Sequence, residues 1–145
     1  MLAALLVVVL LLVSGGVAAY LGLYRPHRMQ EQRNSALWYV DTPGQFERLN
    51  RSTSGMTSSV EFRKVCGKDE RVCVPIAAEE IQKSLNNAGL GIHLDEVQTC
   101  LAAPDTGNCD DQLWYRDGFE FRAKIGSRPG ATFVTVFLEV YVRNS

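Results

Sequence analysis

Hydrophobic positions are densest at the start of the chain. Leu2 to Val13 is an unbroken apolar run, and the apolar character continues to Leu23 with only small residues and one tyrosine between. A helix of about 20 apolar residues crosses a bilayer. The segment ends at Arg25, the first charged side chain. This pattern predicts a single transmembrane helix over residues 1–24.

A cleaved signal peptide is the alternative interpretation of the same segment. Val17, Ala18 and Ala19 are small residues of the kind that signal peptidase recognises. Cleavage there would release a product that begins at Tyr20. No Lys or Arg precedes the apolar run, whereas signal peptides begin with a basic region. The missing basic region favours the retained anchor.

Residues 25–59 are expected to form a stalk and loop region. Residues 26–36 are polar and predict a helix with Pro26 in its first turn. Residues 37–40 are β-prone, a turn follows at 41–44, and residues 45–49 are expected to pair back as a weak hairpin. Residues 52–59 are small and polar and are expected to be a loop.

Residues 60–145 are expected to form the folded domain, beginning with a hairpin. Residues 60–66 alternate as a strand, residues 67–70 turn the chain, and residues 71–74 are expected to return as a second strand. Apolar residues spaced by three and four then predict helices over 75–88 and 94–102. Gly89 is expected to end the first helix, so that the two form a helical hairpin.

The strongest strand signals lie at the C-terminus. Residues 119–125 alternate between apolar and charged side chains, residues 127–130 form a turn signal, and residues 131–142 are apolar on both faces. A strand of the last kind is expected to be central in its sheet, or to meet a partner with its second face. The pattern predicts an α+β fold with one antiparallel sheet and helices on one face.

The four cysteines form two close pairs. Cys66 and Cys73 are spaced as C-x6-C, and Cys100 and Cys109 as C-x8-C. Zinc ligands usually stand two to four residues apart, so disulfides are expected. Pairing within each close pair is favoured among the three possible connectivities. Disulfides require an oxidising compartment, which places the domain outside the cytoplasm.

The positive-inside rule predicts the opposite topology. Arg25 and Arg28 flank the apolar segment and would draw the domain toward the cytoplasm. The cysteines are given more weight, because the N-terminal flank is too short to provide a contrasting charge.

The charges and motifs exclude several function classes. Lys and Arg number 15 against 16 Asp and Glu, a balance atypical of nucleic-acid binding proteins. Asp95 and Glu96 open the second helix, which argues against a DNA-recognition helix. Four residues around Cys109 could suggest a calcium site: Asp105, Asn108, Asp110 and Asp111. They do not follow the EF-hand spacing and are interpreted as turn residues.

No catalytic motif is recognised, so the protein is not expected to be an enzyme. An enzyme would need a concave site around His93, with a carboxylate or thiol within reach. No cofactor, metal or small-molecule substrate is expected. Aromatic side chains are enriched at protein interfaces. The candidate partner-contact residues are therefore Trp38, Tyr39, Trp114, Tyr115, Phe133, Phe137 and Tyr141.

The layout loosely resembles a mature type IV pilin or pseudopilin. It shares an apolar N-terminal helix, a head with sheet character and a disulfide loop late in the chain. The resemblance covers architecture only and implies a filament subunit whose Met1 is a processed end. The chain departs from it at Leu5, where major pilins carry a glutamate that some minor pilins lack, and a long helical continuation is not evident beyond Pro26.

Together these patterns predict a single-pass membrane protein whose C-terminal domain lies outside the cytoplasm. It is expected to be a non-enzymatic subunit of an envelope, virion or surface assembly, in contact with membrane lipid and with other protein subunits. The alternatives are a secreted, disulfide-stapled binding or inhibitory module and a minor pilin-like filament subunit.

Overall fold

The computed structural model describes residues 2–51, 56–67, 70–102, 109 and 112–144. The chain divides into two compact units, of which the first ends at Gln32 and the second begins at Arg33. The first unit is helical. It contains α1 (Leu2–Ala19), a π-helical turn (Tyr20–Tyr24) and most of α2 (Arg25–Ala36). The helix predicted for residues 26–36 is confirmed.

Within the part of the chain that is described, no helix is both long enough and apolar enough to span a membrane. The transmembrane helix over residues 1–24 therefore remains a prediction from the sequence.

The second unit contains a five-stranded antiparallel sheet. Its strands are β1 (Glu47–Arg51), β2 (Thr57–Cys66), β3 (Gln112–Arg116), β4 (Phe119–Pro129) and β5 (Val134–Asn144), in the order β1-β2-β5-β4-β3. The central position of β5 agrees with its apolar residues on both faces. The strands predicted over residues 60–66 and 119–125 are confirmed as parts of β2 and β4, and both strands extend beyond those limits.

Two helices cover one face of the sheet. Helix α3 (Glu70–Ala88) contacts β2 and β5, and α4 (Leu94–Ala102) contacts β4. Their inward side chains, such as Ile81, Leu85 and Val97, are fully buried, as are Phe62 and Leu138 of the sheet. The apolar side chains that recur every three to four residues on the helices thus pack in one core against the apolar side chains that alternate along the strands. The α+β class and the helical hairpin are confirmed.

The connection between the helices is held by glycine and asparagine. Gly89 has a φ of +103° and ends α3, as predicted. The Asn86 side chain then bridges both ways to Ile92: the Ile92 amide donates to Oδ1 at 2.7 Å, and Nδ2 donates to the Ile92 carbonyl at 3.1 Å. These bonds satisfy the backbone groups of Ile92, which lies in the connection outside both helices.

Both predicted disulfides are present. Cys66 is bonded to Cys73 and Cys100 to Cys109, with Cα atoms 5.6 Å and 5.5 Å apart. The first bond joins the end of β2 to the first turns of α3. Residues 71–74 were predicted as a strand, and this prediction is wrong, because they belong to α3.

Three further predictions differ from the structure. Residues 37–40 are not a strand: Leu37–Tyr39 form a 3-10 helix, and β1 pairs with β2 instead. The turn expected at 127–130 lies later, because β4 continues to Pro129. In the loop predicted over 52–59, Thr57–Ser59 belong to β2, and residues 52–55 lie outside the described residues.

Strand β3 was missed from the sequence. It forms a hairpin with β4 through Asp117 and Gly118, which have φ angles of +51° and +80°. Asp-Gly is a preferred pair for a two-residue turn with positive φ at both positions. The signal was thus present in the sequence, although β3 itself is only five residues long.

Candidate interaction surfaces

Trp38 and Tyr39, here called the aromatic pair, lie on the 3-10 helix that follows α2. Their neighbours Leu37 and Val40 are buried, whereas Trp38 is 67% exposed and Tyr39 is 36% exposed. Leu37 and Val40 therefore hold the backbone against the domain and turn the aromatic rings outward. An exposed tryptophan on a fixed backbone is typical of protein interfaces.

An arginine stacks on each ring of the aromatic pair. The guanidinium carbon of Arg48 lies 3.9 Å from the Trp38 ring centroid, and that of Arg116 lies 4.4 Å from the Tyr39 centroid. Arg116 also donates hydrogen bonds to the carbonyls of Asn87 and Ala88 at the end of α3. A cation over an aromatic face is attractive and limits the motion of both groups.

Arg48 is more enclosed than a typical surface arginine. Its guanidinium also lies 5.3 Å from the Phe62 ring, and its Nη2 donates to the carbonyl of Leu37 at 3.5 Å. Burial lowers the pKa of Arg48, although an arginine remains charged at neutral pH. The aromatic pair is therefore presented next to two fixed cations, and Arg, Trp and Tyr are the residues most enriched in binding hot spots.

Among the other candidate aromatics, Trp114 is linked to the aromatic pair, because the Phe121 ring lies 6.3 Å from that of Tyr39 and also contacts Trp114. Trp114 is buried and stacks on Phe121 at 5.0 Å between centroids. Phe137 is buried over Gly126, where a Cβ atom would stand 2.7 Å from its ring. Phe133 is exposed beside the β4–β5 turn. The structure therefore does not bring the seven candidates into one cluster.

The sheet face opposite α3 and α4, here called the polar face, carries the alternate residues of the strands. In β2 these include Ser59, Glu61 and Arg63, and in β5 they include Glu139, Tyr141 and Arg143. Glu120, Arg122 and Lys124 are the corresponding residues of β4. Tyr115 of β3 lies on the same face and is 64% exposed.

Glu120 is the best-connected carboxylate of the polar face. It is only 5% exposed, and it accepts hydrogen bonds from Arg143 Nη2 at 2.7 Å and from Arg122 Nε at 2.9 Å. The Tyr115 hydroxyl donates to it at 3.4 Å. The hydrogen bonds from Arg143 and Arg122 lower the pKa of Glu120. Glu120 therefore stays ionised at neutral pH beneath two guanidinium groups.

Sequence reasoning missed Arg48, Arg116 and Glu120. Glu120 and Arg122 alternate on a predicted strand, so their shared face was predictable. The partners Trp38 and Tyr39 are distant in sequence from Arg48 and Arg116, and the strand neighbours of β1 and β3 were unknown. No local pattern indicates a stacking pair of that kind.

The described residues do not form the metal site or the enzyme site considered from the sequence. Among them, no group of three His, Cys, Asp or Glu side chains is arranged to hold a metal ion. His93 is exposed in the connection between α3 and α4. The possible calcium ligands Asp105, Asn108, Asp110 and Asp111 lie outside the described residues.

Comparison with known proteins finds no matching family model, no matching curated protein and no matching solved structure.

Proposed function

We propose that the protein is a non-enzymatic, membrane-anchored subunit of an envelope, virion or surface assembly. Residues 2–23 hold it in the membrane, and the disulfide-bonded domain lies outside the cytoplasm and binds other protein subunits. The observation that carries this proposal is the aromatic pair, in which two exposed rings are each held by an arginine.

The apolar segment supports the membrane part of the proposal. Helix α1 has 18 residues, which is about 27 Å at 1.5 Å per residue. The π-helical turn Tyr20–Tyr24 continues it, and the sequence is predominantly apolar from Leu2 to Leu23. The described large side chains of this segment, among them Leu11, Leu12 and Leu21, are exposed to at least half of their surface.

The disulfides support the location of the domain. No cysteine is free among the described residues, and all four form pairs within the second unit. Reducing agents of the cytoplasm keep most thiols unpaired. A domain with two disulfides is therefore expected on the oxidising side of the membrane.

Partner binding is tested by replacing Trp38 with alanine in the full-length chain. The protein is purified from its source in detergent, and the co-purifying subunits are identified and quantified by mass spectrometry. We expect Trp38→Ala to lose most of the co-purifying protein, because truncation of an interface hot spot costs about 2 kcal/mol or more, which is roughly a 30-fold loss of affinity.

Val65→Ala is the matched control. Val65 is about as exposed as Trp38 but lies on the polar face of the sheet, so its loss is expected to leave the co-purifying set unchanged. A wild-type protein that purifies alone at every concentration would contradict the proposal. Equal losses in both variants would remove the aromatic pair as the contact.

The anchor is tested by the intact mass of the native protein, measured before and after reduction and alkylation. The proposal expects the N-terminal segment to be retained and all four cysteines to resist alkylation until reduction. A product that begins at Tyr20 would instead indicate a secreted module. Four thiols alkylated without reduction would place the domain in the cytoplasm.

A further inference from the structure

A depression of about 410 Å³ lies on the polar face of the sheet. Three strands contribute to it: Thr57 from the start of β2, Glu120, Arg122 and Lys124 from β4, and Tyr141 and Arg143 from β5. The strand register explains the grouping. Glu120 lies opposite Arg143, and Arg122 lies opposite Tyr141, on adjacent strands.

The lining of this depression is cationic and rich in donors. It contains three basic side chains and one carboxylate, together with the hydroxyls of Thr57 and Tyr141. The carboxylate is the buried Glu120, whereas Arg143 is exposed. A ligand that approaches this surface therefore meets guanidinium, ammonium and hydroxyl donors before it meets the carboxylate.

Glu120 orients the two arginines instead of cancelling them. Its two carboxylate oxygens accept from different arginines, Oε1 from Arg122 and Oε2 from Arg143. Each of these bonds uses one nitrogen of a guanidinium that carries five N–H donors. The arginines are thereby held at a defined separation before any ligand arrives, and such preorganisation reduces the entropy that binding must overcome.

We propose that this depression binds a phosphate group. A tetrahedral phosphate presents several acceptor oxygens at once, and arginine forks match them in pairs. A lysine beside the arginines adds a point charge, as in other phosphate sites. The source of the phosphate is either a lipid headgroup or a soluble phosphate ester. This inference does not depend on the proposed partner binding, since the aromatic pair lies on the other side of the sheet.

The test uses the full-length protein in zwitterionic detergent micelles. Its thermal unfolding midpoint is measured against rising glycerol phosphate, with sodium chloride at matched ionic strength as reference. A second series replaces glycerol phosphate by short-chain phosphatidylglycerol mixed into the micelles. Because a ligand that binds only the folded state stabilises it, we expect a saturable rise of the midpoint in at least one series.

Lys124→Gln is the informative variant, because it removes one lining charge and leaves both ion pairs of Glu120 in place. We expect it to weaken the apparent affinity about fivefold, as for the loss of one partly exposed charge contact. Lys124→Arg is expected to restore binding. Arg128→Gln is the matched control, since it removes a charge from the same face of β4 outside the depression.

Each outcome decides the proposal. Saturation in the lipid series alone assigns a headgroup site, and saturation with glycerol phosphate assigns a site for soluble esters. The absence of saturation in both series overturns the proposal. Equal weakening in Lys124→Gln and Arg128→Gln also overturns it, because that result indicates general charge attraction. If Lys124→Gln fails to fold, Tyr141→Phe supplies the second variant by removing one hydroxyl, and unchanged affinity in it counts against the site.

Discussion

Two carboxylates of the polar face are buried, and each is paired with an arginine two positions later on its own strand. Glu61 is 1% exposed, and its Oε1 accepts from Arg63 Nη2 at 2.9 Å. Glu120 is paired in the same way with Arg122 and also with Arg143. A buried charge without a partner is costly, so these arginines are required for a charged residue to occupy the middle of the sheet.

Glu120→Gln tests this arrangement through its dependence on pH. The hydrogen bonds from Arg143 and Arg122 lower the pKa of Glu120 in the folded protein. The ionised carboxylate therefore stabilises the fold fully above its unfolded-state pKa, and this stabilisation is lost as the pH falls through the lower, folded-state pKa. We expect Glu120→Gln to lower the urea midpoint at pH 7 and to approach the wild type at acid pH.

The comparison is made by urea unfolding of the wild type and the variant, both with intact disulfides, at a series of pH values. The difference in midpoint is expected to begin shrinking as the pH falls below about 4.3, the pKa of an unperturbed glutamate. Glu79→Gln, at an exposed position of α3, should change little at any pH. A midpoint difference for Glu120→Gln that is constant over the whole series would refute the ion-pair explanation.

At the scale of elements, the start of α3 is the least expected feature. Pro75 lies inside the helix, as its sixth residue. Proline lacks the amide that would bond to the preceding turn, and it disfavours helical angles in the residue before it. The turn from Glu70 to Val74 is therefore intrinsically weak, and the bond between Cys73 and Cys66 ties that turn to β2. We therefore expect the start of α3 to depend on this covalent link.

Replacing both Cys66 and Cys73 with alanine should therefore lower the stability of the whole domain and also loosen the start of α3. The bond closes a loop with a sequence separation of 7, for which the chain-entropy model gives about 2–3 kcal/mol of stability. We expect a loss of this size in urea unfolding. Hydrogen exchange of residues 71–74 should also become faster than in the wild type, by a larger factor than exchange of residues 81–85.

The Cys100→Ala and Cys109→Ala double variant is the control for locality. Its loop has a separation of 9, so the loss of stability should be similar. Exchange at residues 71–74 should keep its wild-type rate in it. Fast exchange there in both double variants would mean that the start of α3 depends on the stability of the whole domain and not on its own disulfide.

At the scale of the molecule, the packing core is confined to the second unit. The buried apolar residues of the described chain run from Ala36 to Val142, and they join strands β2 to β5 to α3 and α4. The described apolar side chains between Leu11 and Leu21 are exposed and are not part of this core. These exposed side chains belong to the first unit, so the stability of the domain does not depend on their burial.

Deletion of residues 1–24 is expected to leave the domain folded. The shortened chain should keep its near-ultraviolet circular dichroism, and its free energy of unfolding should stay within about 0.5 kcal/mol of the full-length value, as for changes away from the core. It should also stay in the supernatant when the full-length protein sediments with membranes. Loss of the dichroism signal would show that the domain depends on the deleted segment, and sedimentation of the shortened chain would locate membrane binding in the domain.

Prediction from the sequence succeeded where the decisive contacts are local. The alternation of β4 and β5, the stripes of α3 and α4 and the glycine that ends α3 are each visible within one short segment. Prediction failed for residues 37–40 and 71–74, which have β-prone composition but form helices. Leu37 and Val40 are buried beside the sheet and Cys73 is bonded to Cys66, so packing and a covalent bond outweighed the local propensity.

The sequence by itself determined the apolar N-terminal segment, the α+β class and the helical hairpin, and it favoured the pairing of cysteines that lie close along the chain. Each follows from periodicity or spacing, which the chain carries before it folds. The tertiary structure decided that β1 pairs with β2, that Trp114 is buried, that arginines stack on Trp38 and Tyr39, and that Arg143 reaches Glu120 across 23 residues of sequence. These contacts depend on strand order and register, which follow from the packing of the whole sheet against its helices.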